Sequence, residues 1–191
     1  MISAALIIRD EEPHTGACLQ SIVGIVDEVA VVDTGSCDSS RQIAAAYGGH
    51  GVDRQWDDNF AATRNYSIDQ VTGEWILSID ADERAGAYDR RLLETELGDP
   101  SRCACTVCFC PRTLCTPYPE HRLFRHDPRI RFQSVISRTI LPDLQRIIAA
   151  GQERIGSSQL TIAQLGCAGI SAELGLVLQQ CWGPSLCPPS R

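Results

Sequence analysis

Four apolar runs in the first 83 residues each lead into acidic residues, and this repetition constrains the fold more than any other feature of the chain. Ser3 to Ile8 (SAALII) runs towards Asp10 and Glu11, and Glu28 to Asp33 (EVAVVD) ends on Asp33 itself. A shorter run at Val52 to Trp56 precedes Asp57 and Asp58, and Glu74 to Ile79 (EWILSI) closes on Asp80-Ala81-Asp82-Glu83. Continuous apolar runs mark strands covered on both faces. Between them the spacing predicts helices over Thr15 to Val23, through Ile43 and Ala46 with Asp38 or Ser39 as cap, and over Phe60 to Val71 behind Asp57-Asp58-Asn59. Strand and helix alternating at such short intervals give an α/β chain whose mostly parallel sheet is flanked by helices. Ligands of such sheets sit outside the carboxyl ends of the strands, which is where these acids fall.

Past residue 83 the rhythm loosens. Tyr88 to Leu97 is spaced as an amphipathic helix stopped by Gly98-Asp99-Pro100. Strands are expected at 104–110, Arg122 to Arg125 and Ile130 to Ile136, with a Pro-rich loop through Pro119 and a helix over Leu141 to Ala150. From Ile155 onward only Glu173 and Arg191 are charged, and the last residues (GPSLCPPSR) read as loop. The expected organisation is one domain over 1–150, with halves 1–100 and 101–150, and an extension of the same domain over 151–191.

Composition narrows the chemistry. All 17 basic residues are Arg, which excludes a lysine Schiff base, a P-loop lysine and a lysine general base. The net charge of −7 divides into −12 for residues 1–100 and +5 for 101–191. An acidic balance argues against nucleic acid as partner. Met1 to Ile8 is too short and too soon charged for a signal peptide, and no apolar run is long enough to span a membrane, so a cytoplasmic chain is expected. The cluster Cys103, Cys105, Cys108, Cys110 and Cys115 has zinc-like density. In a strand, though, Cys103 and Cys105 face one way and Cys108 and Cys110 the other, so buried thiols acting as small hydrophobes are expected.

Asp80-Ala81-Asp82 is the sharpest motif, two carboxylates near one point where a buried strand turns. Oxygen donors of that kind suit Mg²⁺ or Mn²⁺, which keep positions for substrate phosphates. Together with IIRDEE (7–12), CLQSI (18–22), VDEVAVVDTGSCDSS (26–40), WDDNFAATRNYSI (56–68) and TGEWILSIDADE (72–83), the chain resembles family-2-type, inverting glycosyltransferases of GT-A fold. The bacterial subgroup often joined to tetratricopeptide repeats is the nearest in pattern. HRLFR (121–125) and IRFQSVISRTI (130–140) look like that family's acceptor-side segment.

The resemblance implies a Rossmann-like GT-A fold that binds a nucleotide diphosphate sugar, with a short or degenerate C-terminal part. It implies a UDP-sugar donor, Mn²⁺ or Mg²⁺ as cofactor, and an acceptor whose nature (glycan, lipid or protein) stays open. Asp33 would contact the base or ribose, Arg64 would lie near the nucleotide, and Glu11 would line the same pocket. Asp80 and Asp82 would hold the metal against the diphosphate, Asp82 more directly. Trp56 and Trp75 read as packing residues.

Departures from the family's pattern favour a second reading, a degenerate domain that binds nucleotide sugar or a partner without efficient transfer. Where the family carries a His-Glu whose acid is the candidate base, this chain has Ser137-Arg138, and a guanidinium accepts no proton. Gln164 and Cys167 replace a His and a Tyr, the His often completing the metal site, and Asp10 replaces an Asn. A nucleotidyltransferase shares the sheet and the acidic site, but its first loop is Gly-rich and basic where this one is RDEE.

Overall fold

The computed structural model describes residues 1–111, 116–133, 139–151 and 153–164. Its strands are β1 (Ile2–Ile8), β2 (Glu28–Asp33), β3 (His50–Asp53), β4 (Trp75–Ser78), β5 (Glu83–Ala85), β6 (Arg102–Cys110), β7 (Tyr118–Arg125) and β8 (Arg154–Gln164). They form one sheet in the order β3-β2-β1-β4-β7-β6-β8-β5. The pairs β3–β2, β2–β1 and β1–β4 are parallel, as the apolar runs require. Beyond β4 the sheet is mixed, with β7 antiparallel to both β4 and β6, β6 parallel to β8, and β8 antiparallel to β5.

Helices cover both faces of the central strands, so β1 and β4 are buried almost throughout and β2 from Ala30 onward. Leu6, Leu77 and Leu123 point into a core closed by α1 (Glu12–Ile22), α2 (Ser40–Ala46) and α4 (Arg90–Leu97). Ala5, Ile76 and Phe124 point the other way, into a core closed by α3 (Phe60–Ile68) and α5 (Leu141–Ala149). Each fully buried Leu or Ile contributes roughly 1.5–3 kcal/mol, so the parallel half is a rigid platform for the loops at its carboxyl end.

Local chemistry sets the helix starts. Pro13 lies in the first turn of α1, which begins three residues earlier than its spacing predicts. Asn59 caps α3 by accepting from Ala62 N–H at 3.0 Å, and Asp89 caps α4 through Arg91 N–H at 2.8 Å. Asp38 accepts from Ser40 N–H at 3.0 Å and also from Glu12 N–H at 2.9 Å, so one carboxylate serves the starts of α2 and α1.

Three expectations need correction. Residues 130–133 are not a strand: Asn65 and Asp143 side chains bind their backbone, and Gln133 makes only an isolated bridge to Thr139. Residues 134–136 lie outside the described residues. Cys103 and Cys105 do not share a face, because the pairing of β6 shifts register there, and they enter opposite cores. Both are buried thiols as expected, whereas Cys108 is disulfide-bonded; Cys115 lies outside the described residues. Finally, the Pro-rich loop ends sooner than its composition suggests, since β7 already begins at Tyr118 and pairs Pro119 with Cys108.

Candidate functional site

The strand order reverses between β1 and β4, and the loops leaving these strands and β2 splay apart there to leave a cleft of about 380 Å³. Glu11, Arg64, Asp80 and Asp82 line it, together with Trp56 and Phe60. An adjoining hollow of about 480 Å³ is lined by Asp33, Ser36, Arg41, Asp53 and Arg54, and Arg9, Thr34 and Trp56 border both. Four of the residues singled out in the sequence therefore share one cleft, and Asp33 faces its continuation. Trp75 is buried at 3% exposure, a packing residue as expected, while Trp56 is half-exposed at the cleft wall, edge-on to Phe60 with ring centres 4.7 Å apart.

The two loops over the first half of the cleft are stitched to each other. Asp10 adopts φ 52°, a left-handed conformation that Asn and Asp tolerate best, which gives a physical reason for either at this position. Its carboxylate accepts from Cys37 N–H at 2.7 Å, and its own N–H donates to Ser36 Oγ at 3.0 Å. Asp33, 3% exposed, accepts from Ser36 N–H at 3.1 Å and Ser36 Oγ at 2.5 Å, with Arg41 Nε 3.6 Å away. Burial pushes the Glu11 carboxyl up; the charges of Asp82 and Asp80 add to the rise and His14 opposes it.

The acidic turn after β4 forms the floor. Arg64, 3% exposed on α3, donates to Asp80 Oδ1 at 2.5 Å and Ser78 Oγ at 3.0 Å, and lies 5.4 Å over the Phe132 ring. Its neighbour Asn65 binds both main-chain groups of Phe132, accepting from N–H at 2.8 Å and donating to O at 3.0 Å. From the far side Asp143 accepts from Arg131 N–H at 2.9 Å and Gln133 Nε2 at 2.6 Å. Segment 131–133 is thus gripped between α3 and α5.

Glu83, 1% exposed, forms an ion pair at 2.7 Å with Arg122 of β7, which is 7% exposed. Burial pushes the Glu83 carboxyl up, Arg122 opposes that, and Asp80 adds to it. The pair escaped the sequence reading, because a Glu in an acidic loop and an Arg in HRLFR give no sign of meeting. Gln164, at the end of β8, donates from Nε2 to Asp82 Oδ2 at 2.8 Å. Arg138 and Cys167 lie outside the described residues.

Asp80, Asp82 and Glu83 can bring one carboxylate oxygen each within 4.8 Å of one another, the only such group of possible ligands among the described residues. Both Glu83 oxygens are occupied by protein donors, whereas Asp80 and Asp82 line the cleft. Two hard oxygen donors at an open cleft fit Mg²⁺ or Mn²⁺, which retain positions for water and phosphate. No helix among the described residues is long and apolar enough to cross a membrane.

Residues 3–152 match the family model described as glycosyl transferase family 2. A TPR repeat-containing protein of Synechococcus elongatus is 40% identical over 135 residues, 69% of this chain and 33% of that one. The lipopolysaccharide core biosynthesis glycosyltransferase LpsC of Rhizobium meliloti is 30% identical over 100 residues, 48% of this chain and 35% of that one. The chain thus spans about a third of the length of these relatives. The crystal structure of glucosyl-3-phosphoglycerate synthase from Mycobacterium tuberculosis with Mg²⁺ and uridine diphosphate superposes with TM-score 0.63. It is 17% identical, over 94% of this chain and 76% of that one, and shows the same α/β fold.

Proposed function

The chain belongs to glycosyl transferase family 2, and from that premise we propose that it takes a sugar from a nucleotide diphosphate sugar, a UDP-sugar first of all, and passes it with inversion to an acceptor hydroxyl. The observation that carries this is the meeting of Asp80, Asp82 and Arg64 on one cleft where the strand order reverses. Asp80 and Asp82 would hold Mn²⁺ or Mg²⁺, which supplies positive charge to the diphosphate as it leaves. Arg64 fixes Asp80, and Asp33 in the adjoining hollow accepts from base or ribose. Glu11 closes the wall of the donor pocket. The chain's contribution to rate is positioning of the donor and stabilisation of the leaving group. The uridine diphosphate and Mg²⁺ in the Mycobacterium enzyme support this choice of donor class and ion.

A second reading is favoured by one contact. Gln164 stands where the resembling family carries a metal-completing His, and its neutral amide donates to Asp82 rather than offering a nitrogen lone pair. With Arg138 at the expected base position, the domain would bind donor and transfer it slowly. Calorimetric titration of UDP-sugars in Mn²⁺ tests the first reading: wild type binds, and Asp82→Ala does not. Unchanged binding in Asp82→Ala refutes the assignment of the site. Donor hydrolysis or transfer by a binding-competent chain then separates the enzyme from the binding domain.

A further inference from the structure

We infer that Glu83, the fourth residue of the acidic turn, is a positioning residue that clamps the turn shut, and that Arg122 reaches from β7 to hold the clamp. The inference rests on the donor-site reading above. The turn is closed twice between the same two residues. Glu83 N–H donates to Asp80 O at 3.0 Å, and Asp80 N–H donates to Glu83 Oε2 at 2.9 Å. Cys18 Sγ of α1 also meets Asp80 O, at 3.2 Å. The second Glu83 oxygen, Oε1, takes Arg122 Nη2 at 2.7 Å. With both oxygens used and 1% of its surface exposed, Glu83 faces away from the cleft that Asp80 and Asp82 line.

Arg122 is itself fixed on three sides. Its guanidinium lies 5.1 Å over the Phe109 ring, its Nε stands 3.1 Å from Glu120 Oε2, and its chain neighbour Leu123 pairs with Leu77 of β4. A strand of the second half of the chain therefore sets the shape of a turn in the first. The chemistry explains why a carboxylate is needed. A side-chain amide has one acceptor oxygen, so Gln at 83 would turn its NH₂ towards either Asp80 N–H or the guanidinium, donor against donor. Removing one member of the pair leaves a buried charge without its partner. Removing both avoids that penalty for the buried pair and leaves only Glu120, whose side chain is 28% exposed to water, without its cation.

The test uses the full chain, uridine diphosphate and Mn²⁺, with bound Mn²⁺ read by electron paramagnetic resonance, nucleotide affinity by calorimetry and folding by thermal melting. The double variant Glu83→Met/Arg122→Met is expected to melt near wild type yet to hold Mn²⁺ at least about tenfold more weakly with nucleotide present, as loss of a group that orients metal ligands does. Glu83→Gln/Arg122→Met is expected to regain most of that affinity, since one amide oxygen suffices for Asp80 N–H once the guanidinium is gone. A purely structural pair would show no such rescue. Wild-type Mn²⁺ affinity in the double Met variant, or no gain from Gln over Met, overturns the inference. So does an equal loss of nucleotide affinity in EDTA, which would show that the pair holds the whole pocket. Failure of wild type itself to bind uridine diphosphate with Mn²⁺ instead overturns the donor-site reading and this inference with it.

Discussion

Asn65→Ala tests how the second half of the chain is held against the donor side. Asn65 satisfies the N–H and the C=O of Phe132, a residue of which 6% is exposed and which belongs to no strand. Two such bonds at about 1 kcal/mol net each give about 2 kcal/mol, and the better helix propensity of Ala returns roughly 0.5. The expected loss is about 1.5 kcal/mol, or a fall of about 3–6 °C in melting temperature for a chain of this size. Asn65→Asp keeps the acceptor for Phe132 N–H but sets a carboxylate oxygen against Phe132 O, so at neutral pH it is at least as destabilising. Near about pH 4 its carboxyl takes up a proton, can donate to that carbonyl, and the deficit should shrink. Urea unfolding at both pH values measures the effect, and hydrogen exchange at the Phe132 amide localises it. An Asn65→Ala midpoint equal to wild type, or an Asn65→Asp deficit that does not respond to pH, would refute the reasoning.

Three further substitutions probe other links. Gln164→His exchanges an amide that donates to Asp82 for an imidazole able to ligate, so Mn²⁺ affinity should rise about tenfold or more by paramagnetic resonance titration; no rise would place residue 164 outside the ion's reach. Burial alone would raise the Glu28 carboxyl, but hydrogen bonds from Ser3 and from Thr72 and Gly73 outweigh it and hold it below its ordinary value of 4.5. That stability is present above pH 4.5 and is lost as pH falls through the lower folded value. Glu28→Gln should therefore cost stability at pH 7 and progressively less below pH 4.5 in denaturant titrations. Gly73→Ala would drive a methyl group into Ser3 Oγ and the main chain at the start of β1, so its melting temperature should fall clearly, and an unchanged value would contradict the close approach of the β4 entry to β1.

What could be read in the sequence was what local pattern determines. β1, β2 and β4 are short apolar runs covered on both faces; of the acids after them, Glu11, Asp80 and Asp82 line the cleft and Asp33 its adjoining hollow. The three residues of β5 carry no period, and β8 opens on the polar stretch Arg154 to Gln159; only pairing with distant strands makes either one a strand. Residues 130–133 misled for the opposite reason. Their apolar residues are buried as a strand's would be, but side chains of Asn65 and Asp143 take the backbone bonds a neighbouring strand would have taken. Glu83 and Arg122 stand 39 positions apart, and no local rule joins them.

Charge accounts for the placing of the two buried arginines. Carboxylates as close as Asp80, Asp82 and Glu83 repel one another strongly where water is scarce. Arg64 meets Asp80 from α3 and Arg122 meets Glu83 from β7, each neutralising one of the three. Arg suits both places, because its planar fork serves two partners at once: Ser78 with Asp80 in one case, Glu120 with Glu83 in the other. Asp82 has no ion pair among the described residues; its contact is with the neutral amide of Gln164. Of the two carboxylates of the turn that line the cleft with Glu11, Asp82 is thereby the one whose charge no described cation offsets, and there a divalent cation would gain most. On this argument Gln164→Glu should disturb the turn more than Gln164→His, because it adds a second negative charge against Asp82 where His adds only a potential ligand.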